Sequence, residues 1–393
     1  MILPEEVRKI KLPQMVPVTQ RFDDSHIEDI PGEVRNTAVS FAEQMESGST
    51  AAILVGSRGI SNIDRIVKAL IDTLVEAGIQ PFIVPAMGSH GGGTPEGQTG
   101  VLGSYGITEA TMGVSIKASM QTDVLGKTPG GIEVHFSEAA LSADYVIPVG
   151  RVKPHTDFSG RIESGLCKML AIGGGKHNGC SRLHREGFAA LSHIIPEAAE
   201  VILEKVNVPF GLAIIENAYE KTHTVEAVPG DRILSREPAL LELAKSLMPR
   251  IQYDEIDVLI IEQIGKNISG TGMDPNITGR DSYGHIPGAL PMVKRIIIKD
   301  LSEGSHGNAI GLGMGDFILK SALDKIDFNA TYTNGIASGN PEGIRIPVVV
   351  DTEENAIRAA LQTCHGTDIH NPKIVRIKDT LHLSEIEVSE NML

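Results

Sequence analysis

Short apolar runs and amphipathic segments alternate along the first part of the chain. Residues 51–56 are almost uniformly apolar, which is typical of a buried parallel strand. Apolar residues at helical spacing follow over residues 62–78, with Asn62 as the predicted N-cap and Gly78 as the predicted residue just beyond the helix. Residues 81–87 form the next predicted strand. The order strand, helix, strand predicts a βαβ unit with a right-handed crossover.

The same alternation continues to the C-terminus and predicts an α/β fold. Thr94 and Pro95 predict the capped start of a helix, because proline is favoured at the first helical position. Further apolar runs predict strands over residues 143–150, 208–218, 257–265, 293–301, 345–351 and 373–380. Further helices are predicted from about residue 181 to residue 206, which form one helix or two, and over residues 312–327 and 352–364.

A change of pattern near residues 235–253 predicts the boundary between two domains. The chain has 393 residues, which is enough for two hydrophobic cores. We therefore predict an N-terminal α/β domain over residues 1–245 and a C-terminal α/β domain over residues 246–393.

Composition narrows the class of protein. The formal charge of -15 argues against a nucleic-acid surface or an anionic membrane surface as a partner, and the absence of tryptophan argues against base stacking. The three cysteines fit no CxxC pattern, which favours a reducing compartment. The N-terminus has no apolar segment typical of a signal peptide, and no apolar run has membrane length. A cytoplasmic protein of enzyme size is expected, and its oligomeric state is left open, with a homo-oligomer as one option.

Polar residues follow several apolar runs, in turns rich in glycine or proline. His90 lies in GSHGGG and His155 follows Pro154, each after a predicted strand, whereas Lys168 lies in an apolar stretch bounded by glycines. Imidazoles titrate near neutral pH and bind borderline metals, and a poorly hydrated amine is a good nucleophile. These turns indicate proton transfer, metal binding or both. For each residue the alternative is a structural one, a backbone hydrogen bond for a histidine and a helix-surface position for the lysine.

Two further segments contain groups suited to anions. The sequence GGGKH is similar to a phosphate-binding loop, in which the backbone of Gly174 and Gly175 and the ammonium group of Lys176 would hold a phosphate, although it lacks the Walker A spacing. Arg58 follows the first apolar strand and suits a carboxylate or phosphate. Lys266 lies in a glycine-rich loop after a later strand, for which a purely structural turn is the alternative.

The order and spacing of these residues resemble the nickel-pincer-nucleotide-dependent lactate racemase family, best over the N-terminal two-thirds of the chain. The shared pattern is an arginine after the first strand, a Gly-x-His turn, a Pro-His turn, a lysine and a histidine sixteen residues beyond it. Here these residues are Arg58, His90, His155, Lys168 and His184. The chain has Gly56-Ser57-Arg58 where relatives close to lactate racemase itself carry Asp-x-Thr-Arg, so the substrate is left open.

The resemblance implies two α/β domains with the active site in the cleft between them. It implies a cofactor, pyridinium-3,5-bisthiocarboxylic acid mononucleotide nickel, that is joined covalently to Lys168 and whose metal is held by His184. His90 and His155 would be the acid–base pair. Arg58 would contact cofactor and substrate, and Lys266 is a candidate for the substrate. Cofactor-assembly proteins are implied as partners.

The sequence therefore predicts a nickel-dependent racemase or epimerase of a 2-hydroxy acid, lactate-like or larger and sugar-acid-like. Three alternatives stay open at this point. The first is a histidine-ligated metal hydrolase or lyase. The second is a nicotinamide dehydrogenase, although no GxGxxG follows the first strand. The third is a non-catalytic protein that binds a metal or a nucleotide.

Overall fold

The chain forms two compact units. The computed structural model describes residues 3–57 and 59–393, so Arg58 lies outside the described residues. One unit comprises Asp23–Met248, and the other comprises Met1–Phe22 together with Pro249–Leu393. Among the helices described, none is both long enough and apolar enough to cross a membrane.

The helices and strands alternate along much of the chain. The strands are β1 Met15–Thr19, β2 Thr50–Val55, β3 Gln80–Pro85, β4 Thr122–Lys127, β5 Glu133–Ser137, β6 Tyr145–Arg151, β7 Phe210–Glu216, β8 Thr222–Pro229, β9 Glu255–Ile261, β10 Arg280–Asp281, β11 Gly284–His285, β12 Met292–Ile298, β13 Phe317–Leu319, β14 Val348–Val350, β15 Ile374–Ile377 and β16 Glu385–Ser389. The helices are α1 Glu5–Arg8, α2 Ile30–Ala42, α3 Ile63–Glu76, α4 Pro95–Ser104, α5 Glu109–Met112, α6 Glu138–Leu141, α7 Leu166–Lys168, α8 Lys176–His184, α9 Phe188–Lys205, α10 Ile233–Leu247, α11 Pro275–Thr278, α12 Lys320–Leu323, α13 Phe328–Ala337 and α14 Glu353–Thr363.

The Asp23–Met248 unit is built on a sheet of order β3-β2-β6-β7-β8, parallel except for β8. One face of β2 packs against α2 and α3, and the other face packs against the core that includes α7 and α9. Because both faces are covered, the strands consist of continuous apolar runs. From β2 the chain adds β3 on one side and later β6 on the other. The carboxyl ends of β2 and β6 therefore form a topological switch point, where α/β proteins bind their ligands.

The other unit contains a sheet of order β1-β16-β15-β9-β12-β13-β14. The strands from β15 to β14 are parallel, whereas β16 is antiparallel to its two neighbours, β15 and the edge strand β1. The structure differs from the predicted division of the chain at its N-terminus. Residues 1–22 lie in this unit because β1 pairs with β16, and the N-terminal helix α1 packs near α14.

The predicted α/β class is confirmed, and several predicted elements agree with the structure. Thr94 caps α4 by accepting the Gly97 N–H, and Gly78 has the left-handed backbone predicted beyond α3. Asn62 is at the N-cap of α3, but its side chain makes no capping hydrogen bond. The predicted start of a helix near residue 181 is wrong, because α8 begins at Lys176 and ends at His184. The rest of that prediction agrees with the structure, because residues 188–205 form one helix, α9, which includes the segment that starts at Pro196.

The helix predicted over residues 312–327 is also wrong. This segment contains the strand β13 followed by the short helix α12. Phe317 and Ile318 pair with β12 and β14 inside the sheet. Pairing with strands on both sides outweighs the helical spacing of the apolar residues in this segment.

Candidate active site

The polar turns predicted from the sequence lie at one edge of the five-stranded sheet. Ser57 follows β2, the His90 turn follows β3, and His155 follows β6. These three strands are parallel and adjacent, so their carboxyl ends meet at the same edge. The tertiary fold therefore brings together turns that are about 30 to 100 residues apart in the sequence.

The His90 turn is held by several side chains. The imidazole Nδ1 of His90 forms a hydrogen bond with the hydroxyl of Ser57, and His90 is exposed. The carbonyl of Ser57 in turn accepts a hydrogen bond of 2.7 Å from the hydroxyl of Tyr105. The backbone N–H of His90 donates to the carbonyl of Met87 at 3.1 Å. An accessible imidazole on a turn that is fixed by hydrogen bonds suits a general acid or base.

His155 is held through both its backbone and its ring. Its backbone N–H donates to the buried carboxylate of Glu163 at 2.7 Å, and its ring stacks on Phe158 with 4.2 Å between the ring centroids. Its Nδ1 accepts the Asp157 N–H at 3.1 Å, so the neutral ring carries its proton on Nε2. The Asp157 carboxylate lies 3.6 Å from the same Nδ1 and can stabilise the ring when Nδ1 is protonated.

Lys168 ends the short helix α7, and the chain continues from it as a π-helical segment, Met169–Gly174. This segment packs closely against the ends of the strands. A Cβ atom on Gly150, in β6, would lie 2.6 Å from Met169, and a Cβ atom on Gly173 would lie 2.6 Å from the carbonyl oxygen of Ala86. Glycine at these two positions allows the segment to approach the sheet. Lys168 is thereby placed at the same edge as the two histidines.

A buried carboxylate supports the start of α7. Glu237 accepts the backbone N–H of Cys167 at 2.9 Å and is 1% exposed. Burial raises the pKa of Glu237, and hydrogen bonds from the α7 backbone lower it. Burial has the larger effect, and the pKa is about 7. A carboxylate at a helix N-terminus satisfies backbone donors that have no partner within the helix.

His184 ends α8 and has a defined orientation. Its Nδ1 lies 2.7 Å from the carbonyl oxygen of Cys180 and 3.6 Å from the Cys180 sulfur. A carbonyl oxygen can only accept, so Nδ1 carries the proton and the neutral ring has its lone pair on Nε2. The hydrogen bond to Cys180 raises the pKa of His184, against burial and the positive charge of Lys168, which lower it. Lys168 is therefore close enough to His184 to act on its charge.

The Cys180 thiol joins α8 to the His90 turn. Its sulfur lies 3.8 Å from the hydroxyl of Ser89, next to His90. Burial raises the pKa of the Cys180 thiol, but hydrogen bonds from His184 and Ser89 outweigh burial and leave it below its ordinary value. The role of Cys180 was not predicted, although its position one helical turn before His184 was a usable signal.

The predicted phosphate loop is filled by the protein itself. A Cβ atom on Gly174 would lie 2.5 Å from the ring of Phe136, and one on Gly175 would lie 2.4 Å from the carbonyl of Ala171. Lys176 is 0% exposed, and its ammonium group donates to the carbonyl of Pro85. These glycines permit close packing, and the burial of Lys176 disfavours its interpretation as a phosphate ligand.

Lys266 belongs to the other unit and follows β9, as predicted. Its ammonium group donates to the carbonyl of Gly270 and to the side-chain oxygen of Asn334, each at 2.9 Å. Asn334 also accepts from the side chain of Asn308 at 3.2 Å. Lys266 is thus part of a polar network on its own unit.

Part of the Asp23–Met248 unit matches a known family. Residues 37–190 match the family described as the lactate racemase N-terminal domain. This segment belongs to that family. The segment includes Ser57, the two catalytic candidates, Lys168 and His184, and the resemblance predicted from the sequence is confirmed. The match supports a racemase-type function.

The fold of the whole chain is similar to that of a solved lactate racemase. The structure of the lactate racemase apoprotein from Thermoanaerobacterium thermosaccharolyticum aligns with a TM-score of 0.54 and 14% sequence identity. The alignment covers 91% of this chain and 93% of that chain, and at this identity it shows the fold alone. The curated proteins compared with this chain include no match. Within residues 3–57 and 59–393, no group of three or more histidine, cysteine or acidic side chains is arranged to hold a metal ion.

Proposed function

We propose that this protein is a racemase or epimerase of a 2-hydroxy acid that uses a nickel-pincer nucleotide. The observation that carries the proposal is the placement of Lys168 and His184 at the two ends of the segment formed by the π-helical turn and α8. The two residues have the family spacing, they lie close enough for one charge to act on the other, and both fall in the matched domain. The turns of His90 and His155 lie at the same edge of the sheet.

The residues present fit such a cofactor. His184 offers the lone pair of Nε2 because Nδ1 is bonded to a carbonyl, which is the usual way in which proteins orient a metal-binding histidine. Lys168 would supply the amine for the covalent link. We assign no phosphate ligand, since the ammonium group of Lys176 is buried in the protein.

The chemistry required of the protein follows from the substrate class. The C2–H bond beside an ionised carboxylate is a very weak acid, so plain proton abstraction is difficult. When bound, the nickel-pincer nucleotide supplies reversible acceptance of a hydride from C2. The protein must then remove the hydroxyl proton, hold the planar 2-keto acid and return the proton after the molecule has presented its other face.

His90 and His155 are the proposed acid–base pair, one for each face of the substrate. The backbone N–H of Asp157 donates to Nδ1 of His155 when Nδ1 is unprotonated, and the Asp157 carboxylate can accept from Nδ1 when it is protonated. The ring can therefore give or take a proton at Nε2. Arg58 is the proposed partner of the substrate carboxylate, as a guanidinium group binds carboxylates well.

The covalent link is tested by mass spectrometry of protein produced together with cofactor-assembly proteins. We expect added mass on the peptide that contains Lys168, and none in a Lys168→Met variant. A matched Lys153→Met variant should keep the modification. Active enzyme with an unmodified Lys168 would contradict the proposal.

The metal ligand is tested by measuring nickel per chain and the visible absorbance of the loaded protein. His184→Ala should lose both, whereas His177→Ala should keep both, because His177 is exposed and lacks the family spacing. Loss of nickel from the His177 variant alone would make the assignment wrong.

The reaction itself is tested with single enantiomers of 2-hydroxy acids that carry deuterium at C2. Hydride transfer predicts that the inverted product retains the deuterium, whereas proton abstraction predicts exchange with solvent. Complete washout of deuterium during inversion would refute the hydride mechanism.

A further inference from the structure

Lys176 is a buried lysine at the start of α8. It is 0% exposed, and its backbone has a positive φ of 53°, which is uncommon for a residue with a side chain. Its ammonium group donates to the carbonyl of Pro85, at the end of β3, and to the side-chain oxygen of Gln98 at 3.5 Å. In the described part of the chain, no carboxylate forms an ion pair with it. Burial of a cation without a carboxylate partner costs free energy, so we expect this lysine to have a role that offsets the cost.

Gln98, in α4, connects this lysine to the His90 turn. The side chain of Gln98 is 0% exposed. Its Nε2 donates to the carbonyl of Gly88 at 2.9 Å and to the carbonyl of His90 at 3.3 Å. A side-chain amide has two donors and one acceptor oxygen, so the ammonium group at the oxygen fixes which end faces the turn.

The His90 turn needs such support because it is rich in glycine. Gly88, Gly91 and Gly92 all have positive φ, so the backbone of the turn has little intrinsic preference for one conformation. The amide of Gln98 bonds to carbonyls on both sides of Ser89. Reversal of this amide would place its oxygen against those two carbonyls, which is repulsive.

We propose that Lys176 and Gln98 are positioning residues that hold the His90 turn in its working conformation. Their link to catalysis rests on the role proposed above for His90, but the network itself does not. A general acid or base that is displaced by about 1 Å can lose on the order of 100-fold in rate. The buried lysine of GGGKH would thus support the acid–base group indirectly, through Gln98.

The test uses Gln98→Glu in the full-length protein. This variant keeps the shape and an acceptor for Lys176, but it replaces the donor amide by a carboxylate facing two carbonyls. In cofactor-free protein, NMR of labelled histidines should show a moved or broadened His90 imidazole signal and an unchanged His155 signal. Amide hydrogen exchange of residues 88–91 should accelerate by about tenfold or more.

The matched control is Gln80→Glu. Gln80 is the first residue of β3, the strand that ends at Pro85. Its side-chain amide donates to the carbonyl of Gly48 at 3.0 Å. This variant should leave the His90 signal and the exchange of residues 88–91 as in the wild type. A second variant, Lys176→Met, should disturb the same signals, and the double variant with Gln98→Glu should add little further change if the two residues act as one network.

In the loaded enzyme, Gln98→Glu should lower kcat by about 10- to 100-fold and change KM little. An undisturbed His90 turn in Gln98→Glu would overturn the proposal, and so would a disturbed turn with unchanged kcat. A wild-type protein without racemase activity would instead refute the proposed function, since the NMR and exchange measurements need no cofactor. If Lys176→Met does not fold, Gln98→Glu and its control still decide the matter.

Discussion

The three histidines proposed for the site differ in what holds their Nδ1 atoms. His184 donates from Nδ1 to a carbonyl, His155 accepts at Nδ1 from a backbone N–H, and His90 is bonded to a hydroxyl that can act either way. The first arrangement presents a fixed lone pair, which suits a metal. The other two permit a change of protonation, which suits proton transfer.

The acid–base pair is tested by His90→Asn and His155→Asn. Each histidine is a base in one direction and an acid in the other, so each variant should slow both directions of the interconversion. Losses of about 10²- to 10⁴-fold are typical for such a group. Rates are measured by chiral chromatography at equal nickel content. A His155→Asn enzyme with the full rate would leave that histidine with only a structural role.

The burial of Lys176 predicts a dependence of stability on pH. Burial lowers the pKa of Lys176 to about 8, from an unfolded value near 10.5. The stability associated with the neutral amine is thus present above pH 10.5 and is lost as pH falls through 8. A shift of this size corresponds to about 3 kcal/mol. The free energy of unfolding of the wild type, minus that of Lys176→Met, should therefore rise between pH 8 and pH 10, as measured by urea denaturation. A difference that is flat over this interval would contradict the burial of a charged amine.

At the scale of elements, the site depends on the π-helical segment that connects α7 to α8. π-Helical turns are rare and occur often at functional sites. Here the segment, Met169–Gly174, lies between the candidate anchor Lys168 and the helix that ends at His184. Its packing against the carboxyl ends of β2, β3 and β6 sets where both residues lie.

This packing is tested by Gly173→Ala. The added methyl group would lie 2.6 Å from the Ala86 carbonyl oxygen, so either the π-helical segment or the chain after β3 must shift. We expect a loss of about 1–3 kcal/mol in the free energy of unfolding, together with a lower yield of Lys168 modification. Gly100→Ala in α4 is the control, because no atom lies within 4 Å of its added methyl group. That variant should be neutral or more stable by about 0.5–1 kcal/mol. Equal effects of the two substitutions would rule out close packing as the cause.

At the scale of the whole molecule, the N-terminal residues belong with the C-terminal part of the chain. Besides the pairing of β1 with β16, the buried side chain of Gln20 donates to the carbonyls of Leu383 and Arg250 at 2.6 and 3.2 Å. It also accepts the Gln252 N–H at 2.7 Å. The first residues are therefore part of the structure of that unit.

Gln20→Ala tests this assignment. Removal of these three hydrogen bonds, one buried and two partly buried, should destabilise the unit that contains β16 by about 1–3 kcal/mol, because two carbonyls and one N–H lose their partner. Hydrogen exchange should accelerate in Glu385–Ser389 and stay unchanged in β2 and β3. The exposed Gln14, changed to Ala, serves as the control. Equal acceleration in both units would contradict the division of the chain described above.

Much of the N-terminal unit follows from local sequence. The βαβ unit, the caps at Thr94 and Gly78 and the polar turns after the strands depend on residues within a few positions of one another, and these interactions also exist in the structure. The order and spacing of His90, His155, Lys168 and His184 likewise sufficed to indicate the family.

Tertiary structure decided the features that depend on distant partners. The sequence alone could not show that β1 joins β16, about 370 residues away, or that β13 is a strand enclosed by β12 and β14. Nor could it show that Lys176 is buried, because a glycine-rich loop leaves space near the backbone without indicating what fills it. Here the protein's own side chains and carbonyls occupy that space. Local patterns record the propensities of neighbouring residues, whereas burial and strand pairing are set by contacts that exist only after the chain has folded.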